Sequence, residues 1–515
     1  MKKKNRQMKR VFTLYLFAIA ALAAVTACQK TDTPIITDAQ ITVIDNLQKI
    51  RLHDGVERFE LQFDCNYAWH IETSGSGFEV TPSSGAAGDG IVVTVNAPQS
   101  ESVTATSQLG TMTIVVNNST ERHTIRVVRL PKIAEGGKTM IAWLFGTSLS
   151  YYLKNNIADM QTAVSKGALA GNTLITFSQD SGTKAKIQEI YLDEESGTCE
   201  TTTLKAIDLS VLTTETFSEY LKTMMDLAPA DNYTLMLLGH STAWLPKTPL
   251  ENTTATYGVK RGFTPSFEKM PGAAVTRHIG ESNANLDMNE LSEALTATGV
   301  KFDCLYFDVC FMSSLEAAYE LRHTADYIIG SPCEIMGSGS PYATILQPLF
   351  ESDYETVCEE YYKFYENYSY RSGCIATIDC SKLEAVADVA KRINAAPTAE
   401  GFNYSKLQTY EGRKSGLYAG HWFYDAGDYF TSICSDENLV REFNERLDEC
   451  VIYRYHTTYF FSAYNNSMNL ITSYSGINIT PDEKCIATMP DNADRDMLEY
   501  YNPSLRQTEW YKDTH

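Results

Sequence analysis

The stretch Phe302–Val309, FDCLYFDV, runs straight into Cys310, and a second run, Tyr233–Gly239 (YTLMLLG), ends on His240. Short continuous apolar runs bounded by polar segments read as strands buried on both faces, the pattern of a parallel sheet. Helical patterns precede both: TETFSEYLKTMMDLAPAD (Thr214–Asp231) before the first, NELSEALTATG (Asn289–Gly299) before the second. Strands alternating with helices predict an α/β domain. In an open α/β sheet the carboxyl ends of the strands line the active-site crevice. An imidazole and a thiol at two such ends predict a Cys-His pair, in which the thiolate attacks and the imidazole shuttles the proton. SSLEAAYELRH (Ser313–His323) opens a helix after Cys310, whose amino end would favour a thiolate and an oxyanion.

Other reactive residue types read as structural. Cys304, Cys333, Cys374 and Cys380 sit in or beside apolar runs and read as core thiols. His278 and His421 lie in polar or loop-like stretches. Gly337–Ser340 (GSGS) lacks the Lys-Ser/Thr that follows in a phosphate loop. No placed carboxylate pair marks a glycosidase. Asp425 and Asp428 stand close enough to share a cation, but no EF-hand spacing accompanies them. No metal ligands are assigned.

MKKKNRQMKR followed by VFTLYLFAIAALAAVTA has the basic and apolar regions of a signal peptide, spanning residues 1–27. Val25-Thr-Ala-Cys28 resembles a bacterial lipobox, which makes Cys28 the expected lipidation site and residues 28–40 a tether. The expected location is the bacterial cell envelope, lipid-anchored at the outer membrane or secreted. The leader holds six basic and no acidic residues, so its removal takes the formal charge from −21 to −27. That sign argues against nucleic acid, whose phosphates need cations, and suits cationic substrates or calcium.

From about Ile41 to Pro131 the texture changes. IVVTVNA, GTMTIVV and HTIRVVRL, with turns such as TPSSGAAGDG between them, predict a small all-β, immunoglobulin-like sandwich. FDCNYAWHIE and the PSSG turn resemble the BACON-type domain, which implies glycan contact. Trp69 lies in an alternating pattern that predicts core burial, so a rigid spacer is the preferred role. Pro131–Gly137 reads as a linker. The basic stretch between Leu245 and Ala284 reads as a long loop, either an activation-cleavage site or a solvated insertion.

The strings GHSTAW (Gly239–Trp244), DVCFM (Asp308–Met312) and ADYIIGSPCEIMGSGSPY (Ala325–Tyr342) together resemble the clostripain-like cysteine peptidases, relatives of caspases and gingipains. IAWLFGTSLSYYLKNNIADM (Ile141–Met160) looks like the family's first strand and helix, and SGINITPDE (Ser475–Glu483) like its closing strand. The resemblance covers residues 138–515 and implies a caspase-like, mostly parallel sheet flanked by helices. It implies Cys310 as nucleophile and His240 as general base or acid. The backbone N–H groups of Ser241 and Cys310 would bind the oxyanion. Asp308, with Glu334 as a second wall, would hold a basic P1 side chain. The function implied is an endopeptidase cleaving proteins or peptides after Arg or Lys, with calcium required in some relatives. The chain departs from the pattern at Gly239, where the family has Asp, at Ser241, where it has Gly, and at Val309, where it has Ala. The competing expectation is a non-catalytic glycan- or protein-binding lipoprotein on a decayed peptidase fold.

Overall fold

The computed structural model describes residues 36–145, 148–181, 183–247, 279–281, 284–412 and 421–515. The leader, Cys28, most of the tether, His278 and the bulk of the basic stretch before Ala284 lie outside them.

Nine strands build the amino-terminal module: β1 Ile41–Val43, β2 Lys49–Leu52, β3 Arg58–Cys65, β4 Trp69–Ser74, β5 Glu79–Thr81, β6 Ser84–Gly85, β7 Gly88–Asn96, β8 Ser107–Val116 and β9 Arg122–Arg129. They form a four-stranded sheet, β1-β3-β7-β5, and a five-stranded sheet, β2-β9-β8-β4-β6. RFELQFDC alternates with period two, so Phe59, Leu61, Phe63 and Cys65 face inward. Val93 and Val95 of one sheet and Met112, Ile114 and Ile125 of the other share one core. Trp69 is buried as expected. Its ring meets Phe63 edge-on at 5.1 Å and its Nε1 donates to the Ala86 carbonyl at 2.9 Å. This indole is therefore a packing group and offers no face to a sugar.

The remaining chain is built on a nine-stranded sheet. Its strands are β10 Lys138–Leu144, β11 Thr173–Ser181, β12 Lys184–Leu192, β13 Cys199–Asp208, β14 Asn232–Leu238, β17 Phe302–Asp308, β18 Ala325–Gly330, β19 Cys374–Asp379 and β21 Val451–His456. Between β14 and β17 lies the small pair β15 Ile279–Glu281 and β16 Ala284–Leu286. The order is β13-β12-β11-β10-β14-β17-β18-β19-β21. The expected mostly parallel sheet needs correction. Only the five central strands, β11 to β18 in sheet order, pair in parallel. The flanking pairs are antiparallel. Parallel strands need a long crossover, whereas β11 and β12 are joined by two residues, which allows only a hairpin.

Alternate residues of the central strands enter two cores. Ile141, Leu235, Leu237, Leu305 and Phe307 face one side. Met140, Met236, Leu238, Cys304 and Tyr306 face the other, under helices Ser150–Ser165 and Tyr342–Phe350. Burial on both faces explains why these strands read as unbroken apolar runs.

The module docks on the outer hairpin of this sheet. Glu189 of β12 is 2% exposed and is held by Arg51 at 3.1 Å and His53 at 3.2 Å, both from the module. Lys49 pairs with Asp193, Arg126 with Glu195 at 2.8 Å, and Asp45 with Lys186 at 3.1 Å. Arg51 also stacks on the Tyr191 ring at 3.6 Å. Burial alone would push the Glu189 carboxyl up, but Arg51 and His53 outweigh it and hold it at about 2.

Arg51→Ala should cost about 3–5 kcal/mol of stability, the usual result of stripping a buried charge of its partner. Adding Glu189→Leu should recover most of the loss. Denaturant melts read both. A carboxylate held low contributes stability that is present above pH 4.5 and lost as the pH falls towards about 2. Glu189→Gln should lack that acid limb.

Candidate active site

Strands β14 and β17 pair in parallel with Leu238 opposite Asp308. His240 lies two residues beyond the first and Cys310 two beyond the second. Neighbouring strands run about 4.8 Å apart, so the imidazole and thiol leave the sheet at one level on adjacent strands. Both line a single cleft of about 310 Å³, whose walls include Asp308, Glu334, Asn156 and Phe461. His240 Nε2 stands 3.3 Å from Ser148 Oγ, and the His240 carbonyl accepts from the Gly280 N–H at 3.0 Å. Cys310 Sγ accepts from the Ile335 N–H at 3.4 Å. Burial pushes the Cys310 thiol up, and the nearby Glu334 charge adds to it. Both effects disfavour the charged form of the sulfur in the free protein.

Phe311, directly after Cys310, has φ of 63°, a left-handed conformation that costs a bulky residue free energy. The surroundings hold it there. Its N–H donates to the Cys333 carbonyl at 3.1 Å, and Asn478 Nδ2 donates to its carbonyl at 3.2 Å and to that of Pro332 at 2.9 Å. The Asn478 N–H also donates to the Ser313 carbonyl at 2.8 Å. Asn478 belongs to β24 (Asn478–Ile479), which pairs with β20 (Tyr424–Asp425) outside the large sheet. The expected closing strand is thus two residues long and works as a brace. Two residues on, Thr480 donates its N–H to the buried Glu316 carboxyl at 2.7 Å and accepts from Trp244 Nε1 at 2.9 Å. Ser314 Oγ donates to the same carboxyl at 2.7 Å. The loop after His240 and the loop after Cys310 are tied to one segment. The helix after Cys310 begins at Leu315, and its first turn holds Glu316.

Asp308 is buried and heavily engaged. Oδ1 accepts from Ser340 Oγ at 2.9 Å. Oδ2 accepts from the Ser340 N–H at 3.0 Å, Tyr342 OH at 2.7 Å and Asn156 Nδ2 at 3.3 Å. Burial raises its carboxyl, and these bonds pull against the rise. Gly339 permits the approach, because a Cβ there would lie 2.6 Å from Asn156 Nδ2 and 2.7 Å from Asp308 Oδ2. Glu334 is only half-buried. Its Oε2 accepts from the Ala463 N–H at 2.5 Å, and burial lifts its carboxyl to about 7. Ser241 is buried, with its Oγ accepting from the Ala243 N–H at 3.0 Å in a turn where Ala243 has φ of 51°. Gly239 is enforced, since a Cβ there would lie 2.9 Å from that of Phe145. An Asp does not fit at that position.

Asn156 was not foreseen. Its signal was legible, as a polar residue in the buried stripe Leu153, Asn156, Met160, Ala163 of its helix. Phe461 and Ala463 reach the cleft from far along the chain and carried no local signal. His421 is buried against Asp494 at 3.0 Å. Asp425 accepts from Tyr410 OH at 2.7 Å, and caps the helix Ala426–Ile433 by accepting from the Asp428 N–H at 2.9 Å. Among the described residues no three His, Cys, Asp or Glu side chains converge as a metal cluster. Cys304, Cys333, Cys374 and Cys380 are buried free thiols, as expected.

The family model described as Clostripain family matches residues 269–514. A secreted C11 cysteine protease from Bacteroides thetaiotaomicron, iotapain, is 30% identical over 74% of this chain and 99% of its own, with a TM-score of 0.61. An inactive zymogen C11 protease from Parabacteroides distasonis is 25% identical over 73% of this chain and 97% of its own, with a TM-score of 0.58. A secreted C11 cysteine protease from Bacteroides thetaiotaomicron bound to an irreversible peptide inhibitor shares the fold at 22% identity and a TM-score of 0.58, over 74% of this chain and 99% of its own. No curated protein matches in sequence. The chain belongs to the clostripain family, C11, of cysteine peptidases. It is a cysteine peptidase.

Burial lifts Glu316 to about 7. The native state then holds this proton more tightly than the unfolded chain, so stability falls as pH rises from 4.5 to about 7. Glu316→Gln keeps an acceptor for Thr480 and offers a donor to Ser314. Thermal melts across that range should show the variant folded and this pH dependence reduced.

Proposed function

We propose that the protein is an envelope-anchored endopeptidase cleaving after Arg or Lys, with Cys310 as nucleophile and His240 as its base and acid. The observation that carries this reading is the parallel register that brings both residues to one carboxylate-walled cleft. His240 takes the Cys310 proton as sulfur attacks the scissile carbonyl. The N–H groups of Cys310 and Ser241 bind the oxyanion. His240 returns the proton to the leaving amine, and water, deprotonated in turn, releases the acyl group.

Glu334 is the better partner for the P1 cation. The Asp308 oxygens already accept four hydrogen bonds, whereas Glu334 is half-buried with its carboxyl in the cleft wall. Asp308 contributes its charge to the pocket floor. A bound cation would also offset the Glu334 charge, one of the two leading causes that raise the Cys310 thiol. Substrate binding thereby favours the thiolate. A non-catalytic role finds no support, since neither reacting side chain is replaced. Anchoring rests on Cys28 in its lipobox-like context, and export is supported by the secreted relative. The amino-terminal module, BACON-like in sequence, acts as a docked spacer. Calcium remains a proposal carried by the family resemblance alone.

Cys310→Ala should abolish hydrolysis of Arg and Lys reporter peptides, and undiminished turnover would overturn the assignment. A pH series tests the pocket. Glu334 ionises at about 7 among Cys310, Glu411 and Tyr464, with Ala463 donating to it. The ratio of kcat/KM for Lys against Met at P1 should rise as pH passes about 7. Glu334→Gln should flatten the ratio and cost the Lys substrate about 2–5 kcal/mol, the range for unpairing a buried charge.

A further inference from the structure

The hairpin of β22 (Tyr459–Ser462) and β23 (Ser467–Leu470) stands at the rim of the cleft. Its register sets Tyr459 opposite Leu470 and Phe461 opposite Met468. Opposed residues of an antiparallel pair share a face, and so do residues two apart on a strand. These four side chains therefore form one apolar face. Phe460 and Ser462 alternate to the other face and are buried, which anchors the hairpin. The apolar face is left open. Tyr459 is 44% exposed and Leu470 53%. Tyr370, 51% exposed, joins them with its ring 5.8 Å from that of Phe461. Clustered exposed apolar side chains, unlike scattered ones, mark an interaction site.

The same segment reaches into the active site. Phe461, Ala463 and Tyr464 line the cleft, and the Ala463 N–H donates to Glu334 at 2.5 Å. One end of the segment thus supports the pocket carboxylate, and the other carries the open face. Tyr459 and Phe461 lie two residues apart on a strand, a span of about 7 Å, which is the reach of two residues of an extended peptide. We propose that the face formed by Tyr459, Phe461, Met468 and Leu470 is a second substrate subsite, which takes an apolar side chain of the polypeptide close to the scissile bond. The assignment rests on the reading of this cleft as the active site. Continuity with the cleft selects the substrate as occupant. Four side chains and Tyr370 fall well short of the roughly 20 residues a side of a stable protein interface.

The test is a Tyr459→Ser, Leu470→Ser double variant, altered only at exposed positions and checked for folding by thermal melt. Three Lys substrates are compared: a single-residue reporter, a peptide with Leu or Phe flanking the Lys, and the same peptide with Ser flanking. The variant should lose about tenfold in kcat/KM on the apolar-flanked peptide, mainly through KM, with the other two within about twofold of wild type. Equal loss on all three would overturn the proposal. So would an unchanged rate on the apolar-flanked peptide, including when sedimentation shows that the face instead joins two copies. Wild-type cleavage of apolar-flanked peptides irrespective of P1 charge, with the same tenfold loss in the variant, would sink the basic-P1 reading and leave this subsite standing.

Discussion

Leu238 lies opposite Asp308 because β14 and β17 pair in parallel, and that register is the constraint on which the site depends. A shift of one residue in a strand turns every side chain to the opposite face. Here a slip would send Leu235 and Leu237 of one core, and Met236 and Leu238 of the other, to the wrong sides of the sheet. The two apolar cores therefore lock the register. The locked register brings His240 and Cys310 off adjacent strands together. The placement of these two side chains in one cleft is a by-product of burying both faces of the sheet.

Beyond the strand ends, packing no longer defines the backbone and hydrogen bonds take over. Phe311 sits in a left-handed conformation that its side chain disfavours. Asn478 holds it there while also binding Pro332 and Ser313. Thr480 then links Glu316, in the helix after Cys310, to Trp244, in the loop after His240. A segment near the carboxyl end of the chain is thus what keeps two distant loops in mutual position. A buried polar network of this kind stabilises only when its members are satisfied, which makes it a demanding but specific support.

Carboxylates in this molecule divide by partner. Glu189 is buried against Arg51 and His53, stays ionised, and clamps the amino-terminal module to β12. Asp308 and Glu316 are buried among neutral donors, and burial raises both. Burial raises Glu334 as well, but this residue stands partly exposed in the cleft wall. Desolvation without a cation makes a group that gains from meeting one. That contrast separates a carboxylate already paired inside the fold from one left without a cation in a cleft wall, in a chain whose acidic balance says nothing about either.

Much of the catalytic half was legible in the sequence. Continuous apolar runs identified β10, β14, β17 and β18, because strands buried on both faces carry no polar alternation. The positions of His240 and Cys310 at their ends followed, with helices Thr214–Leu227 and Met288–Ala297 between. Period-two alternation exposed the amino-terminal strands and the burial of Trp69. Tertiary structure alone decided the rest. The antiparallel flanks of the sheet depend on which edge a hairpin joins, and no local residue encodes that. The four hydrogen bonds on Asp308 come from Asn156 of one helix, from Ser340 in a loop and from Tyr342 at the start of a second helix, which meet only after folding. Phe461, Ala463 and Asn478 lie more than a hundred residues past Cys310, and their roles arise from long-range packing. Local pattern reports how a residue is buried. What it is buried against is a property of the closed chain.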